Sequence, residues 1–389
     1  MEVKKRIAAS LMAIIMMFLL SACSAVANHD SHVITAEEFR EKWDISRTAE
    51  HNKVIMDVDA MYVNDDAYAI LIAAQADALG YIDLLGITST TGNAFSSASA
   101  YSALYILETI GRTDIPVYLG ASMPRNGFVD IEKIKKECGI FRWYGCYASI
   151  DLYTEDVNEA YERGLCKVPG TVKNSAVMDE SAVDFIIEQV HKYPGEVTLI
   201  TLSSLTTISL AIEKDPTIVD DAAGIIIMGG DFGMRIDSGR DYEFNLWFDP
   251  EASNIVLSAP WKERVIASSD AAEFCKRNKG VYELLKSKNT SAVIGCIVDT
   301  LAPIYEVGEE DHPYCWDPMT IVYFLCPDVI TRIEPRAVCV DEREGMTYGL
   351  TRDWFSGFQP DGVGIFDVIL ECDGTAFWEF ISDICSMDI

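Results

Sequence analysis

The chain has 389 residues, of which 49% are hydrophobic, and its formal net charge is −30. This length suits one large or two ordinary domains, and the hydrophobic fraction is sufficient for a sizeable core. The acidic balance excludes nucleic-acid binding as a function class, because contact with a phosphate backbone requires a basic surface. The charge identifies no partner by itself, since solubility is a sufficient explanation for it.

Residues 1–22 are predicted to be a lipoprotein signal peptide. Basic residues at positions 4–6 precede an apolar run over 7–20, and small residues follow, which is the pattern of a secretory signal. The apolar run is too short for a comfortable transmembrane span. The stretch Leu20–Cys23, with the sequence Leu-Ser-Ala-Cys, resembles the bacterial lipobox, in which Cys23 is acylated. An ordinary signal peptide with a coincidental cysteine is the alternative.

The lipobox interpretation predicts an exported protein that is lipid-anchored to the bacterial cell membrane through Cys23. Residues 23–50 then form a polar tether that leads into a short helix around Thr35–Trp43. The rest of the chain, residues 51–389, is predicted to be one domain. Assembly into a homo-oligomer is left open by the sequence.

Ten cysteines follow Cys23, and the sequence does not decide their state. An exported protein could pair them. Their scattered positions indicate no small-domain disulfide framework, and no Cys-x-x-Cys pair marks a zinc site. Burial as ordinary small apolar residues is the other reading.

Four aspartates lie in one turn after the first predicted strand. The apolar run Lys53–Met56 predicts a buried strand and Ala67–Ala74 predicts a helix; between them lie Asp57, Asp59, Asp65 and Asp66. In open α/β sheets, ligand sites lie at the carboxyl ends of the strands. Capping of the helix is one explanation for these acids. The other is a calcium or magnesium site, because a hard cation would offset the repulsion between the carboxylates.

Strands and helices alternate beyond this turn, which predicts an α/β fold with a mostly parallel, doubly wound sheet flanked by helices. An aromatic and charged stretch over 124–178 interrupts the alternation and is predicted to be an insertion. The further predicted strands are 82–88, 116–119, 197–201, 224–228 and 265–267, the helices are 94–110, 180–191, 205–212 and 374–385, and a hairpin joins 337–340 to 346–350.

Polar motifs follow the acidic turn along the chain. They are Gly86–Thr88 with Gly92–Asn93, Asp114–Tyr118 with Gly120–Ala121, Leu205–Thr207, Met228–Gly230, Glu243–Asn245, Asp249–Ala252 and Trp316–Pro318. Together with the acidic turn, and in the same order, these motifs resemble the inosine/uridine-preferring nucleoside hydrolase family from about residue 52 to the C-terminus. The acidic turn is similar to the family signature Asp-x-Asp-x-Gly-x-Asp-Asp-Ala, although it is longer in the middle and its Pro-Gly is replaced. The resemblance implies the open α/β fold of that family.

The resemblance implies a calcium site. Its ligands would be Asp59, Asp66, Asp317 and the main-chain carbonyl of Thr206, and Asp57 would support them from behind. A water bound to the calcium would be the nucleophile. Asp59 would be its general base, because the cation makes the water easier to deprotonate.

The resemblance also implies a ribose site. Asp65, Asn93, Glu243 and Asn245 would hold the ribose hydroxyls, and Met228 would line the pocket. The sugar would pass through an oxocarbenium-like state that the carboxylates stabilise electrostatically.

Two positions depart from the family pattern. Asp237 aligns roughly with a family asparagine, which places a charge near the sugar, and Trp316 stands where many members have a histidine that helps the leaving base accept a proton. Two routes for activating the base remain open. In one, His312 or Tyr314 is the acid; in the other, Trp316 or an aromatic residue of segment 141–147 stacks on a purine.

The sequence therefore predicts a lipid-anchored, calcium-dependent enzyme that hydrolyses the N-glycosidic bond of ribonucleosides to ribose and free base. A non-catalytic nucleoside-binding surface lipoprotein is the alternative. The intact acidic turn with Asp317 favours the enzyme, because binding alone does not require Asp59 as a base.

Overall fold

The computed structural model describes residues 32–45, 52–62, 65–139, 143–233, 242–308, 314–343 and 345–387. The predictions for the signal peptide, Cys23, Asp237 and His312 concern residues outside these ranges. None of the helices in these ranges combines the length and the apolar character needed to span a membrane.

The strands of the described residues join in a single nine-stranded sheet. They are β1 (Lys53–Val58), β2 (Asp83–Ser89), β3 (Val117–Leu119), β4 (Val197–Thr201), β5 (Gly224–Met228), β6 (Glu263–Ala267), β7 (Ile330–Val340), β8 (Thr351–Phe355) and β9 (Ile365–Cys372). Their order across the sheet is β3-β2-β1-β4-β5-β6-β9-β7-β8. Strands β1 to β6 and β9 pair in parallel, and β7 pairs antiparallel with β8 and β9. The prediction of a mostly parallel sheet is confirmed.

Helices cover both faces of this sheet. The α-helices are α1 (Ala36–Lys42), α2 (Asp65–Ala78), α3 (Ser96–Thr109), α4 (Ile131–Cys138), α5 (Val157–Glu162), α6 (Ala182–Lys192), α7 (Thr206–Lys214), α8 (Ile218–Asp221), α9 (Phe244–Phe248), α10 (Pro250–Ser258), α11 (Lys279–Ser287), α12 (Ala292–Ala302), α13 (Pro318–Leu325) and α14 (Gly374–Ser386). Short 3₁₀ segments lie at Gly145–Leu152, Ala271–Glu273 and Pro327–Val329, and a π-helical turn at Pro303–Val307.

The core has two layers because side chains alternate along each strand. On β1, Val54 and Met56 pack against α2, α3, α13 and α14 on one face of the sheet. Ile55 points to the opposite face, where it joins the core formed with α6, α7 and α10. Burial on both faces explains why β5 and residues 54–56 of β1 are continuous apolar runs in the sequence.

The predicted C-terminal hairpin is wrong in its second strand. Residues 346–349 form a turn, and the strand that pairs with β7 is β8. Strand β9, which has no counterpart among the predicted elements, pairs with β7 on its other side. Ion pairs join these strands, with 3.0 Å between Arg332 and Glu371 and 3.1 Å between Arg336 and Asp353. Because polar residues occupy much of the first half of β7, an apolar pattern reveals only its second half.

The predicted helix around Thr35–Trp43 is confirmed as α1, and it is part of the folded body. Thr35 and Glu38 form a reciprocal cap at its start, and Phe39 is fully buried. At its end, the Lys42 ammonium and the Trp43 indole N–H both donate to the Asp383 carboxylate of α14, at 2.9 and 3.0 Å. Among the cysteines whose side chains the structure describes, none forms a disulfide bond, and most are buried.

Candidate active site

The strand order places a crevice between β1 and β4. The chain runs outward to β2 and β3 on one side and to β5 and β6 on the other, and such a reversal is where open α/β sheets bind ligands. The acidic turn follows β1, the turn 90–93 follows β2, and residues 202–205 follow β4. The main-chain N–H of Leu202 donates to the carbonyl of Asp57 at 2.8 Å, so β1 and β4 stay paired up to this edge.

Three carboxylates meet at this edge. One oxygen from each of Asp65, Asp66 and Asp317 lies within 4.8 Å of the others, a grouping that can hold a metal ion. The first two belong to the start of α2, and Asp317 precedes Pro318 at the start of α13. The main-chain N–H of Trp316 donates to Asp65 at 2.8 Å and thereby joins the two helix starts.

The electrostatics of this cluster favour a bound cation. Asp66 and Asp317 are buried. Burial raises the pKa of Asp317 well above its ordinary value, and the charges of Asp65, Asp66 and Asp59 raise it further. A hard divalent ion would offset this repulsion, and carboxylate oxygens are the ligands that calcium and magnesium prefer. The donor set therefore fits the metal that the sequence predicts, although it includes Asp65, which the sequence assigned to ribose.

Asp57 lies behind the cluster in a shell of hydroxyl groups. Its carboxylate accepts hydrogen bonds from Thr88 at 2.6 Å, from Thr90 at 2.8 Å and from Ser203 at 3.0 Å. Burial raises its pKa to about 6, although these hydrogen bonds act in the opposite direction. The three hydroxyls come from the ends of β2 and β4, so Asp57 ties the strand ends together, as a supporting residue would.

Asp59 is fully buried and is held by Asn93. The main-chain N–H of Asn93 donates to one oxygen at 2.7 Å, and its side-chain amide donates to the other at 3.0 Å. Burial raises the pKa of Asp59 to about 7. The neighbouring Gly92 permits this approach, because a Cβ there would lie 2.0 Å from an Asp59 oxygen. The predicted ribose ligand Asn93 therefore contacts the predicted base.

Glu243 and Asn245 are buried side chains that join neighbouring strand ends. The Glu243 carboxylate caps α9 and accepts from the main-chain N–H of Gly230 at 3.0 Å. The Asn245 amide donates to the carbonyl of Leu202 at 2.8 Å and to the carbonyl of Met228 at 3.2 Å. Their predicted contacts with ribose stay predictions, as does the pocket role of Met228.

The predicted role of the Thr206 carbonyl as a metal ligand stays a prediction. Thr206 begins α7, and its carbonyl accepts a hydrogen bond from Ser209 at 2.8 Å. Its hydroxyl donates to Asp249. The carbonyl of Leu202, directly after β4, accepts a hydrogen bond from the Asn245 amide at 2.8 Å.

Aromatic side chains flank the cluster on the side of Trp316. The rings of Tyr314 and Trp316 stack with their centroids 5.3 Å apart and their planes 20° apart. The Lys276 ammonium lies 4.6 Å from the centre of the Tyr314 ring. Trp316 is thus adjacent to Asp65 through its main chain and supported by Tyr314 from one side.

Comparisons with known proteins agree with this arrangement. Residues 54–379 match the family described as inosine-uridine preferring nucleoside hydrolase. The chain is 26% identical over 321 residues to uridine nucleosidase 1 of Arabidopsis thaliana, covering 80% of this chain and 85% of that protein. It is 25% identical over 335 residues to the inosine-uridine preferring nucleoside hydrolase of Leishmania major, covering 85% and 96%. The solved structure of a purine-preferring ribonucleoside hydrolase from Gardnerella vaginalis shares the fold, with a TM-score of 0.66, 24% identity and coverage of 86% and 98%.

Proposed function

The chain belongs to the inosine-uridine preferring nucleoside hydrolase family and is a hydrolase that acts on nucleosides, and from this premise we propose a calcium-dependent mechanism in which Asp59 is the general base. The observation that carries the proposal is the grouping of Asp65, Asp66 and Asp317 beside the buried Asp59. Bound calcium would supply the positive charge that makes an attacking water more acidic.

The metal ligands in this proposal are Asp65, Asp66 and Asp317, together with the main-chain carbonyl of Thr206. All are oxygen donors, as calcium requires. Asp57 fixes the ends of β1, β2 and β4, and so keeps these groups in register.

The chemical step is a displacement at C1′ of the ribose. A water oxygen forms a bond to C1′, the bond from C1′ to the base nitrogen breaks, and its electron pair leaves with the base. Asp59 takes the proton from the water, because its carboxylate oxygens are basic and lie next to the proposed metal ligands. Carboxylates near the sugar stabilise the positive charge that develops on the ribose.

The departing base is activated by an aromatic side chain in this proposal. Trp316 lies beside the cluster and has the ring area needed to stack on a purine, and base stacking contributes about 1–3 kcal/mol. The competing acid route uses His312 or Tyr314. We expect Trp316→Ala to lower turnover of inosine more than that of uridine. A large loss in His312→Ala with little change in Trp316→Ala would instead support the acid route.

A nucleoside panel tests the function directly. Purified protein is incubated with inosine, guanosine, adenosine, uridine and cytidine, with calcium or with a chelator, and the reducing sugar is measured. We expect ribose release that the chelator abolishes and that calcium restores. Binding of nucleosides without any release of ribose would contradict the proposal and indicate a binding protein.

We also propose that the enzyme is exported and anchored through an acylated Cys23, on the strength of the Leu-Ser-Ala-Cys motif. Acyl chains on one cysteine can hold a protein at a membrane when more than one chain is attached. Cys23→Ser should move the activity from the membrane fraction to the soluble fraction. A variant that still sediments with membranes would argue against the anchor.

A further inference from the structure

Part of the insertion contacts the turn that holds the predicted base. The main-chain N–H of Cys146 donates to the carbonyl of Gly92 at 3.0 Å, and the indole N–H of Trp143 donates to the Asn93 side-chain oxygen at 2.5 Å. Gly145 lies between them with φ +53°, and a Cβ there would lie 2.5 Å from the Gly92 carbonyl oxygen. The insertion can approach this closely because position 145 is glycine.

These contacts fix the orientation of the Asn93 amide. Its nitrogen faces one oxygen of Asp59, and its oxygen faces the indole N–H of Trp143. A flipped amide would place its oxygen against the Asp59 carboxylate and its own N–H groups against the indole donor. Donation to the amide oxygen also polarises the amide and so strengthens its bond to Asp59.

We propose that Trp143 is a positioning residue for nucleoside hydrolysis, acting through Asn93 on Asp59. This inference rests on the proposed role of Asp59 as the base. The Trp143 side chain is 51% exposed, so it contributes a contact at the surface of the cleft rather than core packing. Loss of one such hydrogen bond should lower kcat roughly three- to tenfold. KM should change little, because the contact orients the base rather than the substrate.

The decisive variant is Trp143→Phe in the full chain, because it keeps an aromatic ring and removes only the N–H donor. Trp354→Phe is the matched control, since Trp354 lies partly exposed on β8, outside the site. Trp143→Ala shows whether the ring itself matters. The same Trp143→Phe change in an Asn93→Ala background asks whether the effect passes through Asn93.

We expect Trp143→Phe to lower kcat and Trp354→Phe to leave it unchanged. In the Asn93→Ala background, Trp143→Phe should cause no further loss. Wild-type kcat in Trp143→Phe would overturn the proposal, whether or not Trp143→Ala is impaired. An equal loss from Trp143→Phe with and without Asn93 would overturn it as well, because the tryptophan would then act by another route.

A spectroscopic measurement separates this inference from the proposed function. In ¹⁵N-labelled protein, the Trp143 indole N–H signal is the one that disappears in Trp143→Phe. Hydrogen bonding to Asn93 should place it downfield, and Asn93→Ala should move it upfield. An unmoved signal would overturn the contact itself. A wild-type protein that releases no ribose would overturn the proposed function and the catalytic role of Trp143, whatever the indole signal shows.

Discussion

Asp383 and Asp317 are both buried carboxylates, but the chain supplies them with opposite surroundings. Asp383 receives the ammonium groups of Lys288 at 2.5 Å and Lys42 at 2.9 Å. Burial alone would raise its pKa, and the bonds from Lys288, Lys42 and Trp43 bring it below the ordinary value. Asp317 is surrounded by other carboxylates that raise its pKa. The first carboxylate is neutralised by groups of the chain itself, and the second belongs to the cluster for which we propose a bound cation.

The largest expected effect on activity comes from removing one carboxylate of the cluster formed by Asp65, Asp66 and Asp317. Asp317→Ala should lower kcat/KM about a thousandfold, because it removes both a metal ligand and a charge that stabilises the transition state. Calcium content, measured on the purified variant, should fall together with activity. Full activity with full calcium content in Asp317→Ala would show that Asp317 is not a metal ligand.

Breaking the ion pairs of Asp383 should lower stability and leave catalysis unchanged. Asp383→Asn leaves two lysines close together without their shared counter-charge, and we expect a loss of about 3 kcal/mol in the free energy of unfolding. Urea denaturation measures this loss. The kcat of the folded variant should equal that of the wild type, and a matched fall in kcat would show that the two regions are coupled.

Replacing Asp317 by asparagine should instead raise the free energy of unfolding of the metal-free protein. Asp317→Asn keeps the shape of the side chain and removes one of the repelling charges. In the presence of a chelator we therefore expect the variant to gain about 1 kcal/mol in unfolding free energy. With calcium in excess the order should reverse, because the wild type then gains the free energy of metal binding. A variant less stable than the wild type under both conditions would contradict the comparison.

The smallest effect concerns a partly exposed histidine that contacts two aspartates. His191 contacts Asp215 at 3.0 Å and Asp221 at 2.9 Å, and these hydrogen bonds raise its pKa. The protonated His191 side chain contributes fully to stability below its unfolded pKa of about 6.5. This contribution is lost as the pH rises through its pKa in the folded protein. His191→Gln should lower Tm by roughly one to two degrees at pH 5.5. The difference from the wild type should shrink at pH 9, and a difference that is constant with pH would exclude the charged pair as its cause.

The sequence predicted most of the parallel sheet because each of its strands is an apolar run of the right length. Strands 197–201 and 224–228 were predicted with the bounds that β4 and β5 have. It also placed the acidic turn at a carboxyl edge. It could not predict that Asn93 would contact Asp59, because this contact depends on how the ends of β1 and β2 meet. The first half of β7 carries many polar residues, so only its second half was recognised as a strand. Strand β9 is a mostly apolar run that was not assigned from the sequence.

The contact between α1 and α14 also has a consequence for how the chain completes its fold during synthesis. Lys42 and Asp383 are separated by 341 positions, so the first described helix finds its partner only when nearly the whole polypeptide is available. Lys288 also binds Asp383, so this ion pair likewise forms only after α14 has been synthesised. Contacts this distant in sequence form late, since the intervening chain must first be ordered. A chain cut short before residue 374 would lack α14, so α1 would lose its packing partner and Lys288 would lose the Asp383 carboxylate. The surface that α14 normally covers would then be accessible to proteases.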